Sequence, residues 1–146
     1  MLPDACMDKV ISNGAFCLAP NKEQAFKECL RVLKPGGRMV VCTSTVTGQL
    51  EEGVNWPVCM QMFTRKEQLK PMCEKVGFKQ VVVDDSDSLM SFDLPEGVDT
   101  LPQTQEGEAR SKNQVHVGSK EFEHLQNYDM NTLCARVAVI GTKPTQ

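Results

Sequence analysis

The run Arg31-Val32-Leu33-Lys34-Pro35-Gly36-Gly37-Arg38-Met39-Val40-Val41 constrains the fold more than any other stretch of this chain. Ala25, Phe26, Cys29, Leu30 and Leu33 recur at helical spacing, which predicts a helix opening at Asn21. Asn21 and Gln24 have the spacing of a capping box. Pro35 cannot continue that helix, because it lacks an N–H and its ring clashes with the preceding turn. Gly36 and Gly37 suit the positive φ of a sharp reversal. Met39 to Cys42 are uniformly apolar, as expected of a strand covered on both faces. A helix, a tight turn and a buried strand in this order point to an α/β fold.

The remainder extends the pattern. Residues 8–12, with Met7, Val10 and Ile11, read as another buried strand. Residues 44–63 read as a loop, with Gly48, Gly53, Glu51-Glu52 and Asn55-Trp56-Pro57. Thr64 and Glu67 form a second capping box, Leu69, Met72, Cys73 and Val76 an apolar face, and Gly77 a helix end. Pro71 lies inside that helix and is expected to kink or shorten it, at a cost of about 3 kcal/mol in a regular helix. Val81 to Val83 predict a strand, Ser119 to Gln126 a short helix with Phe122 and Leu125 facing in, and Leu133 to Ile140 the last strand. Residues 95–114 are polar and rich in turn residues, and are expected to be a mobile loop.

At 146 residues the chain is expected to be one domain. Only 5% of its residues are aromatic, so the core must be aliphatic, helped by eight Met and seven Cys. A net charge of −3 gives no argument for nucleic acid or an anionic membrane. No apolar run approaches the roughly 20 residues of a membrane span, and Met1-Leu2-Pro3-Asp4 does not open a signal peptide. The seven cysteines form no C-x-x-C pair and read as reduced thiols of a cytoplasmic protein.

The wording "MDKVISNGAF" followed by "RVLKPGGRMVV" resembles class I S-adenosylmethionine-dependent methyltransferases, in the second half of their domain. There a strand of the form D-x-V-x-x-N leads into a helix ending R-x-L-K-P-G-G and then into the fifth strand. Asp8, Val10, Asn13, Arg31, Leu33, Lys34, Pro35, Gly36 and Gly37 match that pattern. The resemblance implies the C-terminal half of a Rossmann-like sheet with strand order 4-5-7-6, the last strand antiparallel and inserted. The Gly-rich cofactor loop and ribose-binding acid of the family precede this pattern, and no G-x-G occurs in the 146 residues. The expectation is therefore a single partial methyltransferase domain over residues 1–146. Its first strand would be a bare apolar edge, suited to self-association, to a complementing N-terminal chain, or to covering by residues 85–131.

The resemblance implies S-adenosylmethionine as cofactor, bound weakly or not at all by this chain alone. Ser12, Asn13 and Gly14, at the end of the first strand, would lie where the amino-acid part of the cofactor meets the substrate. Leu2 and Pro3 match residues near the adenine, without the acid that usually precedes them. Trp56 and Cys59 fall in the loop where this family builds its substrate site, and arsenite methyltransferases carry a cysteine in a similar place. Asp8 reads as structural, and Arg31 and Lys34 as solvated residues favouring the helix dipole. Asp84, Asp85 and Asp87 read as a solvated turn and not a metal site, and His116 and His124 complete no hydrolase triad. Tyr128-Asp129 is a further candidate for the substrate side.

The function implied is methyl transfer to a small molecule by in-line displacement at the sulfonium methyl, with no residue standing out as a general base. Two alternatives remain open: a non-catalytic structural or regulatory half-domain, and a metalloid-binding thiol methyltransferase that uses soft sulfur ligands for arsenite.

Overall fold

Asn21 opens helix α1 (Lys22–Val32), its side chain accepting from the Gln24 backbone N–H at 2.9 Å. Phe26, Cys29 and Val32 form the buried stripe of this helix. The chain then passes directly into strand β2 (Leu33–Val46), with no separate turn. Lys34 to Gly37 are a bulge in that strand: strand β1 (Met7–Asn13) pairs Met7 with Leu33 and then Lys9 with Arg38. Backbone bonds from Gly36 N–H to the Lys143 carbonyl and from Lys143 N–H to the Gly37 carbonyl tie the bulge down.

The two glycines act differently from expectation. Gly36 has φ of 77°, but Gly37 is not among the residues with positive φ. Gly37 is needed for space. A Cβ there would lie 2.8 Å from the Lys34 carbonyl oxygen and 3.0 Å from that of Asp8. The close passage of β1 over the bulge therefore fixes this glycine.

The computed structural model describes residues 1–86, 124–125 and 128–146. The expected loop at 95–114, most of the helix expected at 119–126, Asp87 and His116 lie outside the described residues.

Residues 44–63 are more ordered than a loop: β2 runs on to Val46, and a short helix, α2, covers Val58–Gln61. Helix α3 (Lys66–Val76) is capped at Arg65 without a side-chain bond, so the capping box expected at Thr64 does not form. The Thr64 carbonyl instead accepts from the Thr45 hydroxyl and the Val46 N–H, which docks the helix entry onto the end of β2. Pro71 does not shorten α3, which continues to Val76. Gly77, at φ 123°, ends it, and the Phe78 N–H returns to the Cys73 carbonyl in a Schellman-type closure. Strand β3 (Lys79–Asp84) follows. Helix α4 (Met130–Leu133), capped by the Asp129 carboxylate, leads into strand β4 (Cys134–Thr142).

The sheet order is β1-β2-β4-β3. β1 and β2 are parallel, and β4 runs antiparallel between β2 and β3. This is the arrangement expected, with the last strand inserted. The main core lies on one face, where α1 and α3 cover Leu33, Met39, Val41, Phe78, Val137 and Val139. A second cluster of Trp56, Met60, Leu125, Met130 and Cys134 packs beyond the end of β2.

The opposite face corrects the reading of β1 as a buried strand and of β2 as covered on both sides. Ile11 is 81% exposed and Val82 53%. Among the described residues α1, α3 and the short 3-10 helix at Phe16–Leu18 touch the sheet, and Phe16, Phe26, Leu69 and Cys73 from them pack into the core on the other face.

Candidate functional site

Strand alternation sends Asn13, Cys42, Ala138 and Asp84 to the same open face, in one row across all four strands. With Ser86, Arg136 and Val137 they line a shallow depression of about 160 Å³. It lies at the C-terminal ends of β1 and β3, the end of an α/β sheet where ligands bind. The Asp84 carboxylate accepts from the Ser86 backbone N–H at 2.9 Å, and that bond holds its pKa below the ordinary aspartate value. The depression thus carries an anion, a guanidinium, an amide and a thiol.

Asn13 alone among the sequence-predicted site residues lines this depression. Gly14, at φ 75°, turns the chain immediately after it, and its N–H is bonded to the Cys42 carbonyl. A Cβ on Gly14 would meet nothing within 4 Å, so the approach at this turn is open. Ser12 is half-buried on the other side of β1. Leu2 and Pro3 are exposed at the opposite end of the strand, where the Leu2 carbonyl accepts from Arg31. Arg31 also pairs with Asp4 and Glu28, and Lys34 pairs with Asp8 at 3.0 Å. These charges secure the N-terminal segment against the end of α1.

The predicted substrate residues belong to the second cluster. Trp56 is 5% exposed, donates its indole N–H to the Glu51 carbonyl and meets the Tyr128 ring edge-on at 4.9 Å. Tyr128 donates its hydroxyl to the Glu51 carboxylate, which raises the phenol pKa. Asp129 caps α4. His124 Nε2 meets the Asn55 carbonyl at 3.0 Å. Cys59 is exposed on α2. Its charge adds to burial in raising the pKa of the neighbouring buried thiol Cys134 to about 11.

Sequence reasoning missed Arg136 and placed Cys42 in the core. Cys42 is half-buried and shares the open face with Val40, two residues away. Strand parity relative to the buried Met39 and Val41 was the available signal. Nothing local in the sequence joins positions 13, 42, 84 and 136. Among the described residues no group of three or more His, Cys, Asp or Glu is arranged to hold a metal ion. No helix among them is long and apolar enough to cross a membrane.

Residues 1–41 match the family model of a methyltransferase domain. An arsenite methyltransferase from Halobacterium salinarum is 30% identical over 94 residues, 61% of this chain and 24% of that protein. The chain therefore spans about a quarter of the length of this curated relative. Phosphoethanolamine N-methyltransferase 2 of Haemonchus contortus superposes on 99% of the chain with a TM-score of 0.66 and 16% identity. That match covers 35% of the nematode enzyme, whose structures contain S-adenosylhomocysteine or S-adenosylmethionine. An arsenic(III) methyltransferase from Chlamydomonas reinhardtii superposes on 97% of the chain and 38% of its own, with a TM-score of 0.51 and 20% identity. The first 41 residues are thus similar in sequence to a methyltransferase domain, and nearly the whole chain is similar in fold to part of these solved methyltransferases.

Proposed function

We propose that this chain serves methyl transfer from S-adenosylmethionine to a small molecule, and that it provides the part of the site at the end of β1. The observation that carries the reading is the Asn13-Gly14 turn, which opens onto a polar depression at the C-terminal end of a strand within the matched methyltransferase segment. The residues fit part of the cofactor. An amide and an open backbone turn suit its amino-acid end, whereas no glycine-rich turn joins a strand to a helix among the described residues. When bound, S-adenosylmethionine supplies the electrophilic methyl group. The chain's own contribution is positioning: Asn13 orients polar groups at the strand end, and Asp84 and Arg136 offer opposite charges to a small polar acceptor. No side chain is assigned as general base.

Amide chemical shifts recorded during titration with S-adenosylhomocysteine test this reading. The expected result is saturable change centred on Ser12 to Gly14, with affinity in the millimolar range because only part of the cradle is present. Asn13→Ala should remove it. An unchanged spectrum would overturn the reading, and micromolar binding would show a cradle far more complete than these residues suggest.

A second reading, arsenite as acceptor, is favoured by the arsenite methyltransferase relative and by the exposed Cys59 near Cys134. A trivalent phenylarsenical should then bind the native chain with loss of Cys59 reactivity. Binding unchanged by Cys59→Ser would remove that acceptor.

A further inference from the structure

Lys22 stands where local chemistry disfavours it. It is the first residue of α1, directly after the Asn21 cap. A helix N-terminus carries partial positive charge, which favours acids there and opposes an ammonium. The side chain does not serve its own helix. Its Nζ donates to the Ala19 carbonyl at 2.9 Å and, 40 residues along the chain, to the Met62 carbonyl at 2.6 Å. Burial lowers the pKa of this amine, an effect that the nearby Cys17 offsets only in part. A partly dehydrated ammonium costs free energy unless it is hydrogen-bonded, and the two carbonyls supply those bonds.

Both carbonyls end short helices. Ala19 is the C-terminal cap of the 3-10 helix at Phe16–Leu18, and Met62 is that of α2. The last carbonyls of a helix have no partner within it, and a lysine amine can satisfy them. Helices of 3 and 4 residues do not hold themselves, since an isolated helix shorter than about 12–15 residues is marginal in water. One ammonium thus closes two helical turns that need tertiary support.

Each turn is attached to a candidate binding segment. The 3-10 helix follows the Asn13-Gly14 turn. The buried Cys17 thiol donates to the Gly14 carbonyl at 3.2 Å, and the Gly14 N–H donates to the Cys42 carbonyl at 3.0 Å. Helix α2 carries Cys59, and its Gln61 side-chain amide donates to the Trp56 carbonyl at 2.7 Å. A path of hydrogen bonds and short backbone segments therefore runs from the end of β1 through Cys17, Ala19, Lys22 and Met62 to α2.

We propose that Lys22 is a positioning residue that locks α2, with Cys59 and the Trp56 loop, to the Asn13-Gly14 turn, so that the cofactor end and the acceptor end of the site keep one fixed separation. What the two ends bind rests on the methyl-transfer reading; the lock itself does not. In-line displacement is sensitive to this spacing, because a misplacement of about 1 Å can cost about 100-fold in rate. Lys22 acts through backbone carbonyls and not on a reacting atom.

Amide exchange followed by NMR in the native chain, Lys22→Met and Lys22→Arg tests the lock. The Met variant keeps an unbranched stem and loses the donors. It should speed exchange of Leu18 and Ala19, and of Met62 and Phe63, the amides that close the two turns, by about tenfold or more in both places. Val41 and Val139 in the sheet core should hold their protection. Lys22→Arg, which keeps donors, should restore most of the protection. Unchanged exchange at either turn would overturn the lock. So would equal loss in the Arg variant, because stem packing would then hold the turns. Loss across the sheet would overturn it too, because Lys22 would then serve general stability. S-adenosylhomocysteine separates the lock from the methyl-transfer reading. In the native chain its shift changes at Ser12 to Gly14 should be accompanied by changes at Met62 and Phe63. Lys22→Met should keep the first and lose the second. Changes at Met62 that persist in the Met variant would overturn coupling through Lys22. A spectrum with no response to S-adenosylhomocysteine overturns the methyl-transfer reading alone, and the exchange pattern still decides the lock.

Discussion

The two faces of the sheet are made by the same four strands and by similar residues, yet they meet different surroundings. Under α1 and α3, Met39, Val41, Phe78 and Val139 are wholly buried. On the other face, Ile11 and Val82 are largely exposed, and Val40 and Ile140 are half-buried. An aliphatic residue records that a surface must be covered, not what covers it. The difference lies in tertiary context. On one face the covering helices follow and precede the strands locally, whereas on the other the described residues leave Ile11 and Val82 exposed.

The largest expected effects lie on the covered face. Phe78→Ala removes a ring with no exposed surface and should cost about 3–5 kcal/mol. Val82→Ala, on the open face, should change stability by no more than about 0.5 kcal/mol at dilute concentration. Urea denaturation of both variants measures the contrast. A comparable loss at Val82 would show that the open face is covered after all.

The bulge comes next. Gly37→Ala forces a Cβ against two backbone carbonyls, Lys34 and Asp8, and should cost about 1–3 kcal/mol. Gly36→Ala meets only the Thr145 methyl at 3.5 Å, so its cost is that of positive φ alone, about 1–2 kcal/mol. If the Gly36 variant proves clearly less stable than the Gly37 variant, backbone conformation and not close approach dominates the bulge.

These positions show how far the sequence can be read. The Asn21 cap, the stop at Gly77 and the antiparallel insertion of β4 were legible, the first two from local chemistry and the third from family resemblance. Proline and glycine at 35–37 were legible as an interruption, but not as a bulge, because its geometry depends on β1 passing over it and on Lys143 closing it. Thr64 has the right spacing for a cap, but tertiary pairing with Thr45 and Val46 takes its carbonyl and moves the helix start to Arg65. The depression was less legible still. Only Asn13 was foreseen, because its other residues come from three strands distant in sequence and meet only through register.

A smaller effect is expected from alkaline pH. Burial raises the Cys73 thiol to about 12 and the Cys29 thiol to about 11 in the folded chain. The unfolded chain releases these protons near the ordinary cysteine value of about 8.5. Between these limits the folded state binds more protons, so stability falls as pH rises. The contribution is fully present below about pH 8. It is lost as pH climbs through the folded values. Denaturation midpoints measured from pH 8 to 11 should decline, and Cys73→Ala should flatten the slope even though the substitution lowers stability overall. An equal slope in that variant would mean that other groups set the alkaline limit.

The last contrast leaves stability untouched and compares thiols across the two faces. Cys73 is fully buried between sheet and helices, and Cys29 nearly so, and both are held protonated by burial. Cys42 is half-buried on the open face, and Cys59 is exposed on α2. The thiolate is the reactive species and needs access, so native alkylation should follow the order Cys59, then Cys42, with Cys29 and Cys73 reacting only through unfolding. Mass spectrometry of partially alkylated protein reads the order directly. Fast alkylation of Cys73 would mean that the covered face opens readily and that the contrast between the two faces is smaller than their burial implies.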